Sequence, residues 1–316
     1  MKNKSEKRWL IPLLPIFLIS LYNRWIFWKA NKKKREETTS TKKYHWKWGK
    51  INYTVEGTGK PLLLIHGIGA GNSSFEWNKN IRELKKDYRV YAIDLLGFGV
   101  SDKPKITYTA FLYVQLIRDF IQEIIQEPTH VMASSVSCSF TIMACQQYPH
   151  LFQKLILICP TGIKELSQYP TKKKQFLKKV IECPLLGTSL YNCISSQYYC
   201  KYFLQNQIYY YPKNVTRKIL QTYYRCAHVG GPSARYAIAS FLGDFMNVDV
   251  SSAISTISHP ILIFWGREAK LLPVKTLQSF KNLNSNIQSI IVPNTRLLPH
   301  GEASHIVNKH CHSFLK

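Results

Sequence analysis

The feature that most constrains this chain is a series of short, continuously apolar runs separated by segments of helix length. A run without alternating polar residues is typical of a strand buried on both faces, as strands are inside a parallel sheet. Strands that alternate with helices in this way predict an α/β fold, in which a mostly parallel sheet is covered by helices on both faces. The runs lie at residues 61–65, 88–93, 129–132, 154–159, 260–264 and 288–292, and an alternating, edge-type strand precedes them at 50–55.

One interval, residues 161–253, breaks this alternation. It contains helix-like pieces and many tyrosines but no clearly buried strand. We therefore expect a helical cap inserted after the sixth strand, with the core formed by residues 48–160 and 254–316. The tyrosines are expected either to line an apolar pocket over the sheet or to pack the cap against the core.

The N-terminal residues 1–28 have the composition of a membrane anchor. Residues 9–28 are apolar and aromatic, with basic residues before and after them. The uncharged part, 9–23, is shorter than the about 20 residues that cross a bilayer, but tryptophans and a tyrosine lie where an aromatic belt would form. The alternatives are an interfacial anchor and a cleaved signal peptide, the latter disfavoured because no small-residue cleavage site follows. The dense basic cluster downstream favours a cytoplasmic core, joined to the anchor by a basic linker at 29–47.

Charge and composition limit the classes of partner. The net charge is +25, and the excess is densest near the N-terminus, which favours contact with anionic membrane lipid. The sequence has no nucleic-acid motif, phosphate loop, nucleotide fingerprint or cluster of metal ligands, so we expect no nucleic acid, no cofactor and no metal. The 8 cysteines form no C-x-x-C pair, which favours reduced thiols, although a bridge among Cys183, Cys193 and Cys200 stays open.

A serine lies at a predicted strand-to-helix junction. The run 129–132 leads into ASSVS at 133–137, and an apolar, helix-like segment follows. A small-x-Ser-x-small sequence at such a junction presents the hydroxyl of Ser135 at the sheet edge, where the helix N-terminus favours developing negative charge. Taken alone the signal is weak, because a serine before a helix is also a common N-cap.

Two further loops follow neighbouring predicted strands. HGIG at 66–69 follows the run 61–65, and DLLGFGVSD at 94–102 follows the run 88–93. In this order, together with the serine turn, the motifs resemble those of the α/β-hydrolase superfamily over about residues 48–316.

The resemblance implies specific roles for four residues. Ser135 would be the nucleophile of acyl transfer, and the backbone N–H groups of Ile68 and Val136 would stabilise the oxyanion. His66 would support its loop structurally. The family's chemistry also needs a histidine to activate the serine and an acid to orient that histidine.

Both of these partners are absent from their usual places. The family pattern W-G-x-x-D-x-x-x-P aligns with residues 265–273, where Ala269 replaces the acid. The pattern G-H-x-P-x-x-E aligns with residues 296–302, where Leu297 replaces the histidine. Neither side chain can move a proton or orient an imidazole.

The candidate substitutes are His300 as base and Glu268 as acid, because each lies close in sequence to a vacant position. With them, the chain is expected to be a membrane-associated, serine hydrolase-like protein that acts on an apolar ester or lipid-like substrate through Ser135. The alternative is a non-catalytic relative that keeps the fold and binds an apolar small molecule.

Overall fold

The centre of the molecule is an eight-stranded sheet. The computed structural model describes residues 13–32 and 41–316. The strand order is β1-β2-β4-β3-β5-β6-β7-β8; β2 pairs antiparallel with β1 and β4, and the other pairs are parallel. The strands are β1 (Thr41–Trp46), β2 (Gly49–Glu56), β3 (Lys60–Ile65), β4 (Tyr88–Ile93), β5 (Thr129–Ser134), β6 (Phe152–Ile158), β7 (Ile261–Gly266) and β8 (Ile287–Val292).

Helices cover the sheet and form the cap. Those outside the cap are α1 (Leu13–Asn31), α2 (Asn78–Leu84), α3 (Ala110–Phe120), α4 (Val136–Gln147), α10 (Ser251–Thr256), α11 (Thr276–Leu283), α12 (Pro299–Glu302) and α13 (Ser304–Leu315). Those of the cap, between β6 and β7, are α5 (Lys172–Glu182), α6 (Leu186–Ile194), α7 (Gln197–Phe203), α8 (Arg217–His228) and α9 (Arg235–Leu242). The predicted α/β fold with a mostly parallel sheet and a helical cap after the sixth strand is confirmed.

Local sequence explains where several of these elements begin. Thr109, Thr171 and Thr216 precede α3, α5 and α8, and each side-chain oxygen accepts a hydrogen bond from a backbone N–H of the first helical turn. Such a cap satisfies an N–H that would otherwise lack a partner. In the sheet, every residue of β5 and β7 is buried, as the continuous apolar runs predict.

The basic linker predicted at 29–47 is wrong for its last part. Residues 41–46 are strand β1, which pairs antiparallel with β2. Tyr44 and Trp46 are buried; the Tyr44 hydroxyl donates to Glu123 Oε2 at 2.8 Å, and Trp46 Nε1 donates to Asp119 Oδ2 at 2.8 Å. Two alternating buried aromatic side chains and the pairing with β2 hold a strand whose other residues are mostly basic or polar.

The N-terminal helix α1 lies against the cap. Asn23 Nδ2 donates to Ser189 Oγ at 3.0 Å, and the Phe27 ring lies 5.3 Å from the His228 ring. Within the part of the chain that the structure describes, no helix has both the length and the apolar character needed to cross a bilayer, so a transmembrane helix is not supported. The first twelve residues of the predicted anchor lie outside the described residues.

Candidate functional site

Ser135 lies in a strained turn between β5 and α4. Its backbone has φ 54° and ψ −124°, a region that non-glycine residues rarely adopt. The turn is fixed on both sides, since Ser135 N donates to Ile158 O at 2.8 Å and Cys138 N donates to Ser135 O at 3.0 Å. Strain of this kind persists where the surrounding structure enforces it, and here it places the serine at the carboxyl edge of the sheet.

Ala133 and Ser137, which replace the usual glycines of the serine turn, both have contacts close by. Ala133 is fully buried, and Cys138 Sγ lies 3.2 Å from its carbonyl oxygen. Ser137 donates its hydroxyl to His66 O at 2.6 Å. The turn therefore keeps its shape without glycine, and Ser137 ties it to the HGIG loop.

His66 joins two loops beside the serine. Its Nε2 accepts from Leu95 N at 3.0 Å, and its Nδ1 lies 2.7 Å from Gly67 O. This pattern fits a neutral ring that donates from Nδ1 and accepts at Nε2, leaving no free nitrogen for proton transfer. His66 therefore has the contacts of a structural residue.

A cavity of about 360 Å³ lies between the sheet edge and the cap. Ser135 lines it together with Ile68 and Val136, the two residues whose N–H groups the resemblance assigns to the oxyanion. The cap contributes Leu204 and Ile208 among other apolar residues, so the serine hydroxyl lies in mostly apolar surroundings. A concave, mostly apolar pocket with a few polar groups is the usual form of a small-molecule site.

Leucines lie in the cavity wall at and beside the position that the sequence resemblance assigns to a histidine. Leu297 and Leu298 both line the cavity, and Leu297 N donates to Ile208 O at 3.2 Å. Ala269, in the acid's place, is buried. Trp265 Nε1 donates to Leu272 O at 2.9 Å, which fixes the loop after β7 and keeps its leucines against the cavity.

No lining residue of the described chain is a histidine, aspartate or glutamate. The titratable side chains in the wall are Tyr199, Tyr223 and Cys200. Burial raises the pKa of Cys200 to about 11 and that of Tyr223 well above its usual value. Both are therefore protonated at neutral pH and cannot take the serine's proton.

The structure does not bring His300 or Glu268 into the cavity. His300 is fully buried, with its ring 4.1 Å from the Trp77 ring and its Nε2 3.4 Å from Glu76 Oε1. Glu268 Oε2 accepts from Thr295 N at 3.1 Å and so links the loops after β7 and β8. In this arrangement neither residue shares the cavity with Ser135.

Two buried carboxylates hold the walls of the site. Glu76, which no sequence motif signals, accepts from Gly67 N and Asn72 Nδ2 at 3.2 Å each, and these residues lie at the two ends of the loop that carries Ile68. Glu302 occupies the last position of the G-H-x-P-x-x-E pattern and accepts from Arg296 N at 2.8 Å and Tyr210 N at 2.6 Å. Burial raises the pKa of Glu302. Glu302 thus joins the loop that carries Leu297 to the cap.

The comparisons with known proteins agree with this architecture. Residues 60–182 match a family model described as the alpha/beta hydrolase fold. An uncharacterized protein of Mycobacterium tuberculosis is 33% identical over 111 residues, which are 35% of this chain and 32% of that protein. The match thus spans about a third of that relative's length.

Two solved structures resemble the whole fold. A serine hydrolase involved in carbazole degradation has a TM-score of 0.72 at 20% identity, covering 87% of this chain and 98% of its own. A membrane phospholipase A has a TM-score of 0.69 at 20% identity, covering 98% of this chain and 93% of its own. At such identities the likeness shows the fold alone.

Proposed function

Because this chain belongs to the α/β-hydrolase fold superfamily but has leucine and alanine at the positions of the histidine and acid, we propose that it binds an apolar, ester- or lipid-like molecule in the cavity over Ser135. The observation that supports this most directly is the composition of the cavity wall: aliphatic and aromatic side chains surround the serine, with Leu297 and Leu298 in the place of a base.

Efficient hydrolysis requires more than the serine. A serine hydroxyl is a weak nucleophile until an adjacent base takes its proton. When a catalytic triad is dismantled, the oxyanion donors and binding effects that remain give only about 10³- to 10⁴-fold over the reaction in water. Ser135, Ile68 and Val136 therefore serve best to orient a carbonyl group of the ligand by hydrogen bonds.

Binding is tested with a fluorescent fatty acid and a cavity-filling variant. Leu204 is buried and lines the cavity, so Leu204→Trp should weaken binding at least about tenfold by occupying ligand volume. Ile291→Trp is the matched control, because Ile291 is exposed on β8 and lies away from the cavity. Circular dichroism checks that both variants fold. Absence of probe binding to the wild-type chain, or equal binding by a folded Leu204→Trp variant, would overturn the proposal.

A second candidate, slow Ser135-dependent ester hydrolysis, is favoured by one observation: the serine keeps the strained backbone geometry of a nucleophile turn. It predicts covalent labelling of the chain by a fluorophosphonate and loss of that label in Ser135→Ala. The binding proposal predicts that Ser135→Ala weakens fatty-acid binding by no more than about tenfold, the loss of one hydrogen bond. The two measurements thus separate a ligand-binding protein from a slow enzyme.

The membrane association expected from the N-terminal segment bears on where the ligand comes from. Apolar molecules that fit such a cavity partition into membranes rather than water. We propose that the ligand is obtained from a membrane.

A further inference from the structure

Helix α1 exposes a continuous aromatic and aliphatic face. Phe17, Tyr22, Trp25 and Trp28 are 48% to 60% exposed. The aliphatic residues of the same helix that are 42% to 55% exposed are Ile16, Leu18, Ile19 and Leu21. An exposed apolar face of this kind is typical of an interaction surface, because isolated hydrophobic residues are common on proteins but large contiguous groups are not.

The opposite face of α1 is fixed to the cap by specific contacts. Asn192 Nδ2 donates to Asn23 Oδ1 at 2.8 Å, and Asn31 Nδ2 donates to His228 O at 3.1 Å. Phe27, which lies between Asn23 and Asn31 in the sequence, is buried. The outer side of α1 is thus largely apolar and exposed, whereas the side that carries Asn23, Phe27 and Asn31 is held by the cap. A large exposed apolar helix face is typical of a surface that contacts a partner or a membrane.

The neighbouring cap helices extend the apolar surface towards the cavity. Helix α6, which packs against α1, exposes Leu186 and Leu190 by 57% and 41%. Helix α7 contacts both α6 and α8 and exposes Tyr198 and Tyr202 by 83% and 55%.

Two residues of α7 connect this surface with the cavity. Tyr199 and Phe203 line the cavity and are also 44% and 36% exposed. Their rings stack on each other, with centroids 6.4 Å apart. Tyr199 and Phe203 therefore border the cavity and also reach the protein surface, on the same helix that exposes Tyr198 and Tyr202.

The charge around this surface indicates which kind of partner binds to it. Helix α1 contains no acidic residue, and Arg24 and Lys29 on it are exposed. Lys29 Nζ lies 4.8 Å from the Trp25 ring centroid, and Lys32 Nζ lies 5.2 Å from that of Trp28. The cap, residues 161–253, has 12 lysines and arginines against 4 acidic residues. Two copies of this face would repel each other, whereas anionic lipid headgroups complement it.

We infer that the outer face of α1, together with the exposed apolar residues of α6 and α7, docks on the surface of an anionic membrane. Tryptophan and tyrosine rings lie at the level of the headgroups, and the lysines contact the lipid phosphates. The cavity then opens at the lipid, so that a ligand enters it without crossing water. Only this route of entry rests on the proposed function; the docking itself does not.

The test is sedimentation of the full chain with vesicles. Vesicles of phosphatidylcholine containing one-third phosphatidylglycerol should bind the wild-type chain at least about tenfold more tightly than phosphatidylcholine alone, and added salt should weaken the binding. The double variant Trp25→Ser/Trp28→Ser should bind at least about tenfold more weakly. Trp48→Ser is the matched control, because Trp48 is 47% exposed in the turn between β1 and β2 and should not affect binding.

Several outcomes would overturn the inference. The first is absence of binding to the anionic vesicles, and the second is an equal loss of binding in Trp48→Ser. The third is a dimer in solution that the double variant abolishes, since this would assign the face to contact with a second copy of the chain. Quenching of wild-type tryptophan fluorescence by brominated lipid needs no variant, and its absence would count equally against docking. Fatty-acid binding in solution separates the two proposals, since a chain that binds the probe but not the vesicles contradicts docking alone.

Discussion

Restoring the missing histidine and acid should convert the cavity into the site of an esterase. Leu297 lines the same cavity as Ser135, so Leu297→His adds an imidazole to the cavity wall without changing the serine turn. Ala269→Asp adds the carboxylate that orients this ring in related enzymes. Ile68 and Val136, to which the resemblance assigns the oxyanion, already line the cavity with the strained serine.

The expected gain in the rate of hydrolysis follows from the general-base step that the wild-type cavity cannot perform. A positioned general base contributes about 10²- to 10⁴-fold, which at about 1.4 kcal/mol per decade lowers the barrier by about 3 to 5 kcal/mol. The changes also replace buried apolar groups by polar ones that pair with each other, so we expect the free energy of unfolding to fall by about 2 to 4 kcal/mol. A domain of typical stability, about 5 to 15 kcal/mol, stays folded after this loss.

The assay is hydrolysis of p-nitrophenyl butyrate at neutral pH. The double variant Leu297→His/Ala269→Asp should exceed the wild-type rate at least about 100-fold, and adding Ser135→Ala should remove the gain. Leu298→His/Ala269→Asp is the matched control, with the histidine one position away in the same wall. If the folded double variant shows no Ser135-dependent gain, the interpretation of Leu297 as the vacant histidine position is wrong.

Two further predictions concern stability. Gly71→Ala should lower the free energy of unfolding in guanidinium by about 2 to 4 kcal/mol, because the new Cβ would lie 2.2 Å from Tyr223 O at a φ of +87°. Gly231→Ala, with φ +64° and nothing within 4 Å of the new Cβ, should lose only about 1 kcal/mol; equal losses would contradict the steric explanation. Burial, with smaller contributions from nearby lysines, lowers the pKa of His130 to about 4. The unfolded chain therefore binds more protons than the folded chain between about pH 6.5 and 4. The free energy of unfolding should fall by up to about 3 kcal/mol as the pH drops through this window. His130→Leu should reduce this pH dependence and His45→Leu, at an exposed position, should not; an unchanged profile in His130→Leu would contradict the assignment.

The sheet was predictable because buried strands leave a local signal. Residues 61–65 and 261–264 are apolar without interruption, and all of them are buried in central strands of the sheet. Strand β1 left no such signal, since only Tyr44 and Trp46 are buried among lysines and polar residues. Its formation depends on the adjacent strand β2 and on Asp119 and Glu123, which lie far from β1 in the sequence.

The site was predictable to a similar extent. The order of the three loops placed Ser135, and the motif positions identified Ala269 and Leu297 as substitutions. The location of His300 was not predictable, because its ring is held by packing on Trp77 rather than by a neighbour in sequence. Glu76 was missed because it acts on backbone and amide groups, for which no residue pattern exists.

Helix α8 connects the two surfaces on which both proposals depend. At one position, the carbonyl of Tyr223 lies against Gly71 of the loop that carries Ile68, with no room for even a methyl group between them. Five residues further along, about 8 Å at 1.5 Å per residue, His228 contacts Phe27 and Asn31 of α1. One helix therefore makes both the contact against the loop of Ile68 and the contacts against α1. A substitution that shifts α8 should consequently disturb the cavity wall and the position of α1 together.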